Sequence, residues 1–287
     1  DIGLAATACR VLALSRLCHL LSSGAQGGAK LAVWQGQLRS AISSLIASQN
    51  DDGSWPFIVA RDRRHLNGDL SATAWSLIAL EEAIKAGQHV DRNARNRAVD
   101  WLKANTSSFE SVAEQEALLA MSIAGAVDFS PLNRLNRNQN DLSETGKALL
   151  GLAFTHFKKD GYAKPLAELL AKKEDAPIVA KALSVMLMDL VGGLGAARNR
   201  LADDLRSSLL THSVCGEHRW LAISALVSKS RRSIVKDDSE SDKPKFEVTA
   251  SVNGKELGVF SSNNEENTHF ELAGEELSLP AKVELRY

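Results

Sequence analysis

The sequence predicts a mainly α fold, a repeat of helical hairpins stacked or closed into a ring, followed by a small antiparallel β segment. Three observations carry this reading. A helical phrase, Ser71-Ala72-Thr73-Ala74-Trp75-Ser76-Leu77-Ile78-Ala79-Leu80, returns as Glu114–Met121 and Ser143–Leu152, and more loosely at Val179–Leu183 and Trp220–Leu226. Its copies recur roughly every 30 to 45 residues, the length of a helix, a turn and a returning helix, so the unit is a helical pair that buries its apolar face only against neighbouring pairs. Near residue 246 the period changes from helical to two, with Phe246, Val248, Ala250 and Val252 alternating with polar neighbours. Between the two regimes, Ser228 to Lys245 is charged and aperiodic, the composition of a linker. The expected organisation is therefore a helical domain over residues 1–228, a linker over 229–245 and a β segment over 246–287.

The elements follow in order. Apolar spacing predicts helices over Gly3 to Leu21 and Leu31 to Ser48, the second ending at the polar turn Asn50-Asp51-Asp52-Gly53. Pro56 and the charged run Arg61 to His65 form a loop, and Asp69 or Ser71 caps the helix containing Trp75. Its partner runs from about Arg92 to Ala104, with Asp91 as its cap and Trp101 and Leu102 facing inward. Further helices are expected near Glu110–Ala124, Leu142–Phe157, Tyr162–Lys172, Ile178–Val191, Arg198–Leu210 and His218–Val227, with a short helical piece at Pro131–Asn136. Leu77, Leu119, Leu149, Leu183 and Ile223, on the phrase helices, are expected in the inner layer. In the β segment, Asn253-Gly254 is a strong hairpin signal, Leu257–Phe260 is the returning strand, and His269–Leu272 and Lys282–Tyr287 are two more strands. So small a sheet offers little core, and it is expected not to fold alone.

Composition narrows the function classes. The net charge is −1 with scattered basic residues, which gives no electrostatic footprint for nucleic acid. No run of about eighteen uncharged apolar residues is present, so no membrane contact is expected of this segment. Asp1 in place of an initiator Met, and a final strand without a turn, suggest a piece of a longer chain. Three cysteines, Cys9, Cys18 and Cys215, do not make a disulfide scaffold and read as small buried groups.

Gln49-Asn50-Asp51-Asp52-Gly53-Ser54-Trp55 matches the Gln-x3-Gly-x-Trp motif of α/α-toroid proteins, terpene cyclases included; Gln49, Gly53 and Trp55 are expected to staple one hairpin to the next. Leu132-Asn133-Arg134-Leu135, Asp141-Leu142-Ser143 and Lys147 to Ala153 resemble the corresponding repeat of bacterial alpha-2-macroglobulins, and Val248 to Gly258 is similar to the strands that return to a CUB-type sandwich in that family. The resemblance implies an α/α-toroid thioester-type domain followed by part of a CUB-like domain. The family's chemistry uses a Cys-x-Glu-Gln segment whose Cys and Gln condense to an internal thioester. Here Leu14-Ser15-Arg16-Leu17 fits the residues that follow that motif, which puts Cys9 at the thiol position but Val11 and Leu12 at those of Glu and Gln. No thioester can form there, because the acyl donor is missing.

Other constellations have blander readings. Cys215-x-x-His218 is half of a zinc site, and four ligands are needed, so no metal and no cofactor are expected. Asp51-Asp52 and Asp203-Asp204 lack the Asp-x-Asp-Asp pattern of cyclases, and aromatic residues at 5% of the chain make an aromatic-lined cavity hard to build. His65, His89 and His156 have no sequence-near Ser or Asp that forces a triad. Arg61 to Arg64 and Arg231-Arg232 read as solvated loop charge. By resemblance the chain is a non-catalytic, periplasmic or cell-surface piece, its partners the other domains of the same parent chain and, in a trapping protein, proteases. A toroid enzyme of the cyclase or polysaccharide-lyase kind, and a peptide- or glycan-binding module, are the rival readings.

Overall fold

A computed structural model describes residues 3–22, 28–58, 67–211, 216–235, 247–252, 255–261 and 283–286. The chain divides into two compact units, Asp1–Ile234 and Val235–Tyr287. The first unit is an α/α toroid of helical hairpins. Its helices are α1 (Leu4–Ser22), α2 (Gly28–Ala47), α3 (Leu70–Lys85), α4 (Arg92–Asn105), α5 (Val112–Ile123), α6 (Ser130–Arg137), α7 (Glu144–His156), α8 (Asp160–Ala171), α9 (Ile178–Val191), α10 (Gly195–Leu210) and α11 (Gly216–Val235). The helix starts are chemically marked. Asp69 accepts the Ala72 amide at 2.7 Å, Asp91 the Asn93 amide at 2.9 Å and Ser143 the Gly146 amide at 3.1 Å, each satisfying a donor the helix cannot pair internally.

Helices α1, α3, α5, α7 and α9 form the inner layer. α1 packs on α3, α3 on α5, α5 on α7 and α7 on α9, while α2, α4, α8 and α10 each lie over the hairpin to which they belong. Small residues set this spacing. A Cβ on Gly151 of α7 would stand 2.5 Å from the Leu187 side chain of α9, and one on Gly146 would meet the Gln115 side chain of α5 at 2.4 Å. The ring returns to its start through side chains: Arg16 of α1 donates to the Ser224 carbonyl of α11 at 3.4 Å, and the Arg10 guanidinium stands 5.8 Å from the Trp220 ring centroid. Leu77, Leu119, Leu149 and Leu183 are buried as the repeat predicts, whereas Ile223 on α11 is only half-buried.

Helix α1 is long and apolar enough to cross a membrane by length and composition, with a mean hydropathy of 1.4; Arg10 and Arg16 interrupt it, and most of it is buried within the unit as a core helix. Helix α11 runs to Val235, seven residues beyond the expected boundary at Ser228. Ser-Lys-Ser-Arg-Arg-Ser carries no Gly or Pro, so polarity ends the apolar pattern there without ending the backbone helix.

The second unit contains β1 (Glu247–Val252), β2 (Lys255–Ser261) and β3 (Val283–Arg286), an antiparallel sheet in the order β2-β1-β3. Val252 lies opposite Lys255, and the register slips between Ala250 and Ser251, so that Leu257 is an extra residue on β2. Ala250 faces Gly258 on one side and Leu285 on the other. Asn253-Gly254, the strand expected at His269–Leu272, Phe246 and Tyr287 lie outside the described residues, as do most of the linker expected over 229–245, the loop Arg61 to His65, and Cys215.

Candidate functional site

Two sequence-marked places and one unmarked one concentrate polar or reactive groups. The first is the turn after α2. Gly53, at φ 94°, closes a tight loop in which its amide donates to the Asn50 carbonyl at 3.0 Å; a Cβ there would collide with the Arg97 backbone at 2.5 Å. Gln49 Nε2 donates to the carbonyls of Gly53 at 2.9 Å and of Ala94, in α4, at 2.8 Å, and its Oε1 accepts from Arg97 at 2.6 Å. Trp55 is fully buried; its indole N–H donates to the Leu45 carbonyl of α2 at 2.7 Å and its backbone N–H to the Thr73 hydroxyl of α3 at 2.9 Å. One seven-residue stretch thus ties α2, α3 and α4 together. Asp52 belongs to the same turn. Burial pushes its carboxyl up, and hydrogen bonds from Ser54 and Trp101 outweigh that and hold it below the usual range.

The second place is the first half of α1. Cys9, Val11 and Leu12 are all within 2% of complete burial. Leu12 stands three residues beyond Cys9, one helical turn along the same face, the position from which a glutamine amide could reach the thiol. Leu12 and Val11 present hydrocarbon instead, so neither supplies an acyl group. Cys18 is buried further along the helix, and burial raises its thiol despite the nearby Arg39.

The third place was invisible in one dimension. Arg16 of α1, Glu82 and Lys85 of α3 and His156 of α7 gather although α7 is not adjacent to α1 or α3 in the ring. Arg16 Nε lies 3.6 Å and Lys85 Nζ 2.8 Å from the two Glu82 oxygens. Burial drives the Glu82 carboxyl up, but Arg16, Lys85 and His156 together hold it below the ordinary value. The His156 imidazole, at the exposed end of α7, falls from 6.5 to about 4, first through desolvation by the packed atoms around it and then because Lys85 and Arg16 are cationic; it is neutral at pH 7. No residue spacing announces this group, because its members lie on three separate helices.

The remaining carboxylates are absorbed by structure. Glu81 pairs with Arg95, whose Nη2 also donates to the Ala124 carbonyl at 2.9 Å, and buried Glu116 accepts from the Ser71 hydroxyl. Asp203 pairs with Arg206, and Asp204 with Lys181 at 3.1 Å. Asp51 lies exposed in the turn, and His89 precedes α4. Among the described residues, no group of three His, Cys, Asp or Glu side chains could hold a metal ion; His218 is exposed at the start of α11, and its sequence partner Cys215 lies outside them.

No family model matches this chain, and no curated protein sequence matches it. Solved structures do. Alpha-2-macroglobulin from Escherichia coli, trypsin-activated, aligns over 100% of this chain and 19% of its own, with a TM-score of 0.60 at 14% identity. The Salmonella alpha-2-macroglobulin reacted with methylamine aligns over 90% of this chain and 18% of its own, with a TM-score of 0.59 at 16% identity. The native Escherichia coli protein from domain MG7 to its C-terminus aligns over 91% of this chain and 45% of its own, with a TM-score of 0.58 at 13% identity. The chain therefore has an alpha-2-macroglobulin-like fold and spans about a fifth of the full-length chains it matches.

Proposed function

We propose that this chain is a thioester-type toroid without thioester chemistry, followed by part of a CUB-like sandwich, from a bacterial alpha-2-macroglobulin-like protein. Its role is non-catalytic: it belongs to a protease-trapping or cell-envelope scaffold protein in the periplasm or at the cell surface. Its partners are the other domains of the parent chain and proteases held by enclosure, without a covalent bond. The observation that carries this reading is the hydrocarbon at Val11 and Leu12, buried beside Cys9 in a fold shared with bacterial alpha-2-macroglobulins. A thioester forms by attack of the thiol on the Gln amide carbon with loss of ammonia, and an amine later reopens it and frees the thiol. Leu12 has no such carbon.

Intact-mass measurement tests the chemical half. The mass should equal that of the unmodified chain and should not change with methylamine; a loss of ammonia followed by methylamine uptake would overturn the assignment. Incubating the parent protein with elastase tests the rest. Cleavage of a small peptide should persist while cleavage of a large protein substrate falls, with no protease adduct surviving denaturing electrophoresis.

A further inference from the structure

The start of α10 is built without an acceptor of its own. Leu194 occupies the cap position and makes no side-chain bond there, and the first turn, Gly195-Ala196-Ala197, contains no acidic residue. The first amides of a helix have no partner inside it, so those of this turn are left to whatever approaches from outside. The chain reaches them through Gly192 and Gly193, at φ 71° and 79°, and a Cβ on Gly193 or Gly195 would meet nothing within 4 Å. The turn is therefore open, with Gly193, Gly195 and Ala196 exposed. Beneath it lies a cation with a donor to spare. Arg198 is the fourth residue of α10 and only 5% exposed, and because helical side chains lean toward the N-terminus, its guanidinium is carried under the first turn. Nε and Nη2 bond the Asp189 carboxylate at 2.9 and 3.1 Å, but Nη1 is buried with no hydrogen-bond partner. A buried cationic donor without an acceptor is costly, so the arrangement is incomplete as it stands. From Leu190 to Ala202 the chain carries two arginines, Arg198 and Arg200, and no carboxylate.

We propose that the glycine turn before α10 binds a phosphate group, with the Gly195 and Ala196 amides as its outer donors and Arg198 Nη1 as its inner one. The partial positive charge of the helix start and the guanidinium both favour an anion there. Phosphate suits the place better than a carboxylate, because the donors come from the turn above and the guanidinium below. A tetrahedral group accepts from both directions, whereas a carboxylate accepts in one plane. No side chain stands on Gly193 or Gly195, so the turn yields to bring the anion down to Nη1. Asp189 already takes two bonds from Arg198, which keeps the net charge low and the affinity modest. The inference does not depend on the thioester reading.

Amide NMR on the full chain at constant ionic strength tests it. Inorganic phosphate should shift the Gly193, Gly195 and Ala196 amides and the Arg198 side-chain N–H signals, saturating with a midpoint of about 1–10 mM, and acetate should act about tenfold more weakly. Gly195→Asp puts a fixed carboxylate into the open space at the helix start. It should weaken phosphate binding by about tenfold and leave the melting temperature unchanged or raised. Arg198→Gln should weaken binding as much; if that variant does not fold, Gly195→Asp decides. Vesicles carrying phosphatidic acid form a second arm, since their headgroup offers the same chemistry as the free ion. Shifts with both probes extend the site to lipid phosphate, and shifts with free phosphate alone restrict it to soluble phosphates. Shifts with vesicles alone, equal shifts with chloride, no saturation, or unchanged phosphate binding in Gly195→Asp would each overturn the proposal, and a buried water would then be the partner of Nη1.

Discussion

Along α3 every residue from Ala72 to Glu81 is buried, whereas along α10 burial is confined to Arg198, Leu201, Ala202 and Leu205. The two helices have equal length and belong to the same ring. An inner helix is covered by two inner neighbours and an outer layer, so apolar or small residues are needed all round and periodicity disappears; an outer helix touches the protein along one stripe and keeps water on the rest. The same contrast separates α9 from α8, where only Ala163, Leu166, Ala167 and Leu170 are buried. Even the buried charge follows it. Arg198 reaches from the outer layer to Asp189 of α9 with bonds of 2.9 and 3.1 Å, so the one buried cation of α10 answers a carboxylate of the inner layer.

The comparison can be broken most sharply where the layers are joined. Trp55→Ala removes a fully buried indole and its bond to the Leu45 carbonyl, and is expected to cost about 3–5 kcal/mol in a denaturant titration. A loss below about 1 kcal/mol would mean that the turn is not a staple between layers. A glycine pair distinguishes the layers next. Gly151→Val forces a branched side chain into Leu187 and should cost about 1–3 kcal/mol, while Gly161→Ala on α8 meets nothing within 4 Å and should be neutral or stabilising by up to about 1 kcal/mol. Equal effects at the two sites would contradict the layered arrangement.

Acid should act first at the His156 cluster and only later at the Glu114 capping box. His156 binds its proton at about 4 in the folded chain against 6.5 ordinarily, so the unfolded chain takes up that proton first. Its neutral state contributes stability above pH 6.5, and that contribution is lost as pH falls toward 4. Thermal melts from pH 7 to 4.5 should show this decline in the unmodified protein and a flatter profile in His156→Gln; parallel profiles would remove His156 as the cause. Glu114 titrates lower. Its exposed-side carboxylate, slightly desolvated, accepts the amides of Ser107, Ser111 and Ser108 and falls from 4.5 to about 2, so its contribution is whole above pH 4.5 and disappears between there and pH 2. The smallest effect belongs to its capping partner. Ser111→Ala leaves the Glu114 amide without its acceptor and should cost about 1 kcal/mol, read as a lower denaturation midpoint with an unchanged slope.

Helix positions were legible in the sequence because caps and apolar spacing act over four or five residues. Of the two caps offered for α3, Asp69 rather than Ser71 is the one used, Asp91 caps α4 as expected, and Ile178–Val191 is reproduced to the residue. The end of α11 was not legible, since a charged run resembles a linker unless the absence of Gly and Pro is weighed against its polarity. The Gln49, Gly53 and Trp55 staple could be read from its motif, but its acceptor on α4, the Ala94 carbonyl, lies 45 residues away and could not.

By itself the sequence determined that this chain makes paired helices, that a β segment follows them, and that Val11 and Leu12 offer no acyl group to Cys9. These are matters of local backbone preference and of side-chain chemistry, which do not depend on where the chain goes next. Only the tertiary structure decided that Arg16, Glu82, Lys85 and His156 share one environment, that Arg198 answers Asp189, and that Arg10 and Arg16 of α1 meet Trp220 and Ser224 of α11. Those relations arise from how the helices pack on one another, which brings Arg16 to the Ser224 carbonyl and turns Arg198 of α10 toward Asp189 of α9, and no local pattern records them.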